Sequence, residues 1–439
     1  MFGMKALHIY FMLTAFSTGC LFIFFCGVNL GVNQEPQHKS FLPASVNRFK
    51  FQVNTSKPEY ALPSPQDTSP KHVYFRTVIQ ALLKREEANI NIEEVEKLYK
   101  KSLEKPTRRK LILAYTPFFG SSPWPMFDNT TFNSFLWEKG CPMYNCDFTC
   151  DKKYLNVSDA VLFHGRDMTP LAELRSLMNR KSPHQRWVFY LRENPINTFL
   201  NLPQYNGIFN WTMTYRTDSD IYVPGGVYYR VPTNMTGNEN YAKGKDKLIY
   251  WPVSNCGNSR DNIAKKLSEF VQVDVYGGCR RNFPKSTPGL SCPRNSKECD
   301  TLMRSYKFRL SFENKNCVDY ITEKYWYPLE KGNIPIVLGG ASYDSKLVVP
   351  GSYINALDFP SVKALADYIQ YLDKNDTAYN EYFQWKKYYH AEENVLTFPC
   401  HLCTALNIDL KPRVYDNIDT YWGKSENCGA NDAKMRNML

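Results

Sequence analysis

The stretch from Tyr306 to Gly340, YKFRLSFENKNCVDYITEKYWYPLEKGNIPIVLGG, constrains the fold more than any other part of the chain. KFRLSF has the composition of a strand, DYITEKYWYPLEK the spacing of the first turns of a helix, and IPIVLGG that of the next buried strand. A strand, a helix and a second apolar strand make a βαβ unit, which belongs to an α/β protein with parallel strands. Asn314, Tyr320, Glu323 and Lys324 fall between the strands. Ligands bind such units at the carboxyl ends of their strands, where a helix N-terminus offers free N–H groups and partial positive charge to a phosphate. A nucleotide is therefore the expected guest.

The wording of this block goes further than its pattern. FEN, then DYITEK, then an apolar PIVLG strand resembles the donor-binding motif of the α1,3/4-fucosyltransferases, inverting enzymes that take fucose from GDP-fucose. The resemblance spans roughly residues 110–405 and is densest over 186–224 and 306–340. It implies a GT-B architecture, two facing Rossmann-like lobes, with Asn314, Tyr320, Glu323 and Lys324 in the GDP-fucose site. Glu323 would accept from sugar hydroxyls and Lys324 would hold the pyrophosphate. Arg260, in VSNCGNSR, falls where the family has an Arg after its Val-Ser-Asn, so it too is expected on the diphosphate. Gly339 and Gly340 would let backbone approach the ligand.

Glu193 ends the apolar run RWVFYLREN and is expected to be the general base that takes the acceptor hydroxyl proton. The matching family segment commonly reads Glu-Ser-Pro, and here Asn194 replaces the Ser. FNWTMTYRTDSDIYVP resembles a second signature, which suggests Tyr215 and Arg216 as donor-side contacts. After Pro224 the family usually continues Tyr-Gly, whereas this chain has Gly225-Gly226. Asp218 and Asp220 form an Asp-x-Asp, the metal signature of another glycosyltransferase architecture. No metal ligand is expected here and no cofactor is required, with room left for a divalent metal that stimulates. The alternatives to fucosyl transfer are a metal-dependent glycosyltransferase using Asp218 and Asp220, and a non-catalytic glycan-binding protein of the same fold.

Between Lys5 and Glu35 there is no charged residue, and ALHIYFMLTAFSTGCLFIFFCGV suffices to cross a hydrocarbon core of about 30 Å. Residues 1–32 thus read as a short cytosolic tail and transmembrane signal-anchor. Residues 33–106 follow as a stem, Pro-rich at first and helical in spacing over 71–105, suited to a homodimer contact. The acceptor-side lobe is expected over 107–240, the GDP-fucose lobe over 241–405, and a C-terminal tail over 406–439. These features predict a single-pass type II Golgi membrane protein with a lumenal body. The net charge of +11 is scattered, with no long basic block and no nucleic-acid motif, so an anionic small molecule suits it better than nucleic acid.

Six Asn-x-Ser/Thr sites, at Asn54, Asn129, Asn156, Asn210, Asn234 and Asn375, agree with a lumenal body. Eleven of the thirteen cysteines follow the anchor, and an odd number leaves one unpaired or intermolecular. The CxxC at Cys400 and Cys403 resembles the family's C-terminal pair, which implies bonds from Cys141 to Cys400 and from Cys146 to Cys403. The cysteine pattern resembles invertebrate members. The implied acceptor is N-acetylglucosamine of a glycoprotein glycan, in the N-glycan core or the antennae.

Overall fold

The computed structural model describes residues 108–231, 239–283, 296–393, 398–408 and 411–439, with isolated positions at 93, 94, 97, 100, 101, 286 and 292. The expected anchor, nearly all of the stem, and the sites Asn54 and Asn234 lie outside the described residues. No helix among the described residues is long and apolar enough to cross a membrane.

The first lobe is built on six strands, β1 (Lys110–Ala114), β2 (Cys146–Thr149), β3 (Ala160–His164), β4 (Arg186–Leu191), β5 (Trp211–Thr214) and β6 (Ile221–Tyr222). All are parallel, in the order β2-β1-β3-β4-β5-β6. Helices α1 (Asn129–Glu138) and α2 (Leu171–Met178) belong to its two faces. Near-continuous apolar strands suit a sheet buried on both sides. Val188 and Tyr190 of β4 enter one core with Phe132 and Leu136 of α1, while Trp187, Phe189 and Leu191 enter the other with Leu174 of α2.

After β7 (Gly226–Arg230) the chain enters a second parallel sheet of β8 (Lys247–Pro252), β9 (Val273–Tyr276), β10 (Tyr306–Phe312), β11 (Ile334–Leu338) and β12 (Ile354–Asn355). Its order is β12-β11-β10-β8-β9. Helices α3 (Ser259–Leu267), α4 (Lys297–Arg304), α5 (Glu323–Lys331) and α6 (Val362–Lys374) complete this lobe. In both sheets the second strand lies outside the first and the third lies on its other side. Each therefore has a switch point between its first and third strands, where crevices open at the carboxyl ends. β13 (Tyr389–Glu393) pairs antiparallel with β7.

The boundary expected at residue 405 does not follow the packing. Helix α7 (Phe398–Asn407) buries Phe398, Leu402 and Leu406 in the first-lobe core, because two disulfides, Cys141–Cys400 and Cys146–Cys403, hold it there. Helix α8 (Ile418–Trp422) packs on the opposite face of the same lobe. Helix α9 (Asp432–Asn437) then crosses back to bury Met435 in the second-lobe core. Further bonds join Cys256 to Cys279, Cys292 to Cys299 and Cys317 to Cys428, leaving Cys150 as a free thiol. Of the described glycan sites, Asn156 is exposed, while Asn129, Asn210 and Asn375 are half-buried. The Asn210 side-chain oxygen accepts from the Trp187 amide, tying it into the sheet.

Candidate active site between the lobes

Glu193 stands two residues past β4, at the carboxyl end of the first sheet, and is half-buried. The Asn197 side chain donates to its Oε2 at 3.0 Å. The next residue, Asn194, is fully buried; it caps the short helix Pro195–Asn197 and donates across the cleft to Asn314 Oδ1 at 3.3 Å. Asn194 therefore does what a capping Ser could do and also bridges the lobes. A second bridge runs from Thr217, whose amide and hydroxyl donate to Asp319 at 3.0 and 2.7 Å.

Opposite Glu193, the segment after β10 builds a buried ionic cluster. The expected helix begins at Glu323, later than DYITEK suggests, because Thr322 is its N-cap and Asp319 adopts a left-handed turn. Glu313, 1% exposed, accepts from the Thr322 amide at 2.8 Å and hydroxyl at 2.9 Å, and pairs with Lys324 Nζ at 3.1 Å. Lys324 Nζ also reaches Glu323 Oε1 at 3.3 Å. Burial pushes the Glu313 carboxyl up, against the pull of Lys324. Burial alone would depress the Lys324 ammonium, but Glu313 and Glu323 outweigh it and hold it above its ordinary range. A fixed cation thus lies beside the N-terminus of α5, the arrangement that receives a diphosphate.

Tyr320 lies under this cluster, 2% exposed, with its ring 4.9 Å from that of Tyr215 and its hydroxyl bonded to the Asn194 side chain. Burial, with Glu193 adding to it, raises that hydroxyl well above the phenol range, so Tyr320 is a neutral wall between Glu193 and Lys324. Tyr215 is 3% exposed and its hydroxyl has no partner among the described residues.

The arginines expected at the donor site both make internal contacts. Arg260 does not present its fork to the cleft: Nη1 donates to the Phe312 carbonyl at 2.6 Å and Nη2 to that of Asn255 at 3.1 Å. It braces the loops after β10 and β8, close enough to feel Glu313 and Glu323. Arg216 turns away from the donor cluster, because Asp218 holds it at 2.8 and 2.6 Å and its Nη1 donates to the Tyr421 carbonyl at 3.2 Å. Asp220 is buried and accepts from the Thr212 amide at 2.6 Å and the Tyr415 hydroxyl at 2.5 Å. The Asp-x-Asp carboxylates are thus both engaged in internal structure, and among the described residues no three His, Cys, Asp or Glu side chains converge as for a metal. A Cβ on Gly340 would meet the Asn316 carbonyl carbon at 2.4 Å, so this glycine admits close approach of the chain's own backbone.

Residues 107–226 match the family model described as fucosyltransferase, N-terminal, and residues 242–422 match that described as glycosyltransferase family 10 (fucosyltransferase), C-terminal. Alpha-(1,3)-fucosyltransferase C of Drosophila melanogaster is 34% identical over 348 residues, covering 72% of this chain and 78% of that protein. The chain belongs to the family 10 fucosyltransferases. Glycoprotein 3-alpha-L-fucosyltransferase A of the same fly is 35% identical over 326 residues, covering 71% of this chain and 60% of the relative. A crystal structure of an α1,3-fucosyltransferase with GDP-fucose aligns at a TM-score of 0.46 and 17% identity, over 78% of this chain and 99% of that one, too distant a likeness to carry a conclusion. This fucosyltransferase also contains residues near the cleft that sequence reading missed. Glu313 lay inside the quoted FEN, but nothing in the sequence marks it as the buried counter-ion of Lys324. His164 ends β3, 1% exposed, with its Nδ1 bonded to Asp167. Burial pulls its imidazole down, against Asp167, and Glu193 is among the charges it feels.

Proposed function

We propose that this fucosyltransferase is a GT-B enzyme that transfers L-fucose from GDP-fucose to N-acetylglucosamine of glycoprotein glycans, in α1,3 linkage with inversion. The observation that carries the reading is the Asn194–Asn314 bridge, which brings the Glu193 strand end against the Glu313–Lys324 cluster. In this reading the Glu193 carboxylate takes the proton of the acceptor hydroxyl as its oxygen attacks the anomeric carbon. The bond from that carbon to the phosphate oxygen breaks and GDP leaves with the electron pair. Lys324 and the α5 N-terminus meet the charge that develops there, and Arg260 keeps the surrounding loops rigid. The names of the fly relatives support the linkage, and the second also supports a glycoprotein acceptor. The apolar run near the N-terminus supports a Golgi membrane anchor with the lobes in the lumen.

Glu193→Gln in the full-length protein tests the base. Transfer should fall by roughly 10²–10⁴-fold while GDP affinity is retained; near-normal turnover would refute the role. Because Lys324 meets the leaving group, transfer by the unmodified protein should persist in EDTA, and its loss on chelation would overturn that account of the diphosphate site.

A further inference from the structure

The wall of the cleft on the first lobe has no assigned role beyond Glu193. At this sheet's switch point the loops after β1 and β3 meet, and the loop after β4 joins them. Among the described residues only four non-glycines adopt a left-handed backbone, and two are in these loops, Phe119 (φ 47°) and Phe199 (φ 61°). A bulky side chain is disfavoured there, and such strain persists where the surroundings impose it, commonly at ligand sites. Phe199 is also 75% exposed, more than any other large apolar side chain described. Between the two rings lies the guanidinium of Arg166, 5.4 Å from Phe119 and 5.2 Å from Phe199. It makes no hydrogen bond among the described residues. Asp167 fixes the group by accepting from the Phe119 and Gly120 amides at 2.8 and 2.7 Å, and His164 bonds Asp167 in turn. Phe199 is two residues from Asn197, which holds Glu193.

We infer that Phe119, Arg166 and Phe199 form the subsite for the acceptor sugar. The Phe199 ring takes the apolar face of a pyranose, and the Arg166 guanidinium, held in place by both rings, donates to a hydroxyl or N-acetyl carbonyl oxygen of the same sugar. An uncharged N-acetylhexosamine fits this chemistry, since it offers a C–H face and acceptor oxygens. The inference rests on Glu193 being the base.

Phe199→Gly gives a test in which fold and function move apart. Glycine favours the left-handed backbone, so the full-length variant should unfold at a higher temperature than the parent. Its KM for an N-glycan core glycopeptide or for N-acetyllactosamine should rise roughly tenfold, with the KM for GDP-fucose within about twofold of the parent. Phe199→Trp should keep the acceptor KM within about threefold of the parent. An unchanged acceptor KM in Phe199→Gly, or an equal rise in the donor KM, would overturn the subsite. Saturation-transfer NMR of the same two glycans with GDP present reads binding without turnover. Glycan signal that is lost in Phe199→Gly supports the subsite even if the parent transfers no fucose, which would fault the Glu193 reading alone. Equal signal in both proteins, or no binding of either glycan to the parent, overturns the subsite.

Discussion

At the scale of single residues, the Glu313–Lys324 ion pair joins the stability of the second lobe to the donor role proposed for Lys324. Removing one partner of a buried pair leaves an uncompensated charge and costs about 3–5 kcal/mol, whereas replacing both with apolar or neutral groups of similar size is nearly neutral. Lys324→Met should therefore lower stability by that order and weaken GDP binding, because Glu313 is left charged against the Thr322 turn. Adding Glu313→Gln should restore most of the stability but none of the GDP affinity. Denaturant unfolding and GDP titration of the two variants separate these effects; recovery of GDP binding in the double variant would mean that Lys324 is structural only. Glu323 and Lys324 were legible because they open a helix after a strand. Glu313 and Thr322 were not, since their contact depends on the left-handed turn at Asp319, which no spacing in the sequence reveals.

Elements meet most tightly where β7 passes the start of α5. A Cβ on Gly225 would lie 2.3 Å from the Ile321 carbonyl oxygen, and one on Gly226 2.1 Å from the Trp326 ring. A Tyr at the first position, as in the Tyr-Gly of the family signature that this segment resembles, would have no room here. Gly225→Ala should destabilise by about 1–3 kcal/mol, since its obstacle is backbone that cannot swing aside. A denaturation midpoint equal to that of the parent would show that the lobes separate more readily than this packing allows. Strands β4, β10 and β11 were legible from their long apolar runs. Helix α7 was not assigned to the first lobe, because only the Cys400 and Cys403 pairings, drawn from resemblance, hint that the chain returns there. The loop between β10 and α5 carries a recognisable motif, whereas Phe119 and Phe199 escaped because an isolated aromatic in a loop has no periodic signal.

For the whole molecule, pH acts through α7. His401 is 3% exposed in the first-lobe core, its Nδ1 has no partner among the described residues, and burial pulls its imidazole down to about 4. As pH falls, the unfolded chain takes up this proton before the folded one does. The stability it governs is thus complete above about pH 6.5 and is lost towards about pH 4, on the order of 3 kcal/mol. His401→Met, similar in volume and unable to titrate, should flatten the fall in thermal midpoint over that window, and an undiminished fall would assign it to other groups. The same helix has a consequence for synthesis. A chain emerging from a ribosome makes all six strands of the first sheet, with α1 and α2, before residue 223, yet α7 and α8, which complete the cover of its two faces, arrive only with residues 398–422. Until then the nascent protein carries a sheet with partly covered apolar faces and two cysteines whose partners lie 259 and 257 positions ahead. Such a chain depends on chaperones during elongation, and a stop codon in the last tenth of the message leaves the lobe made first unfinished.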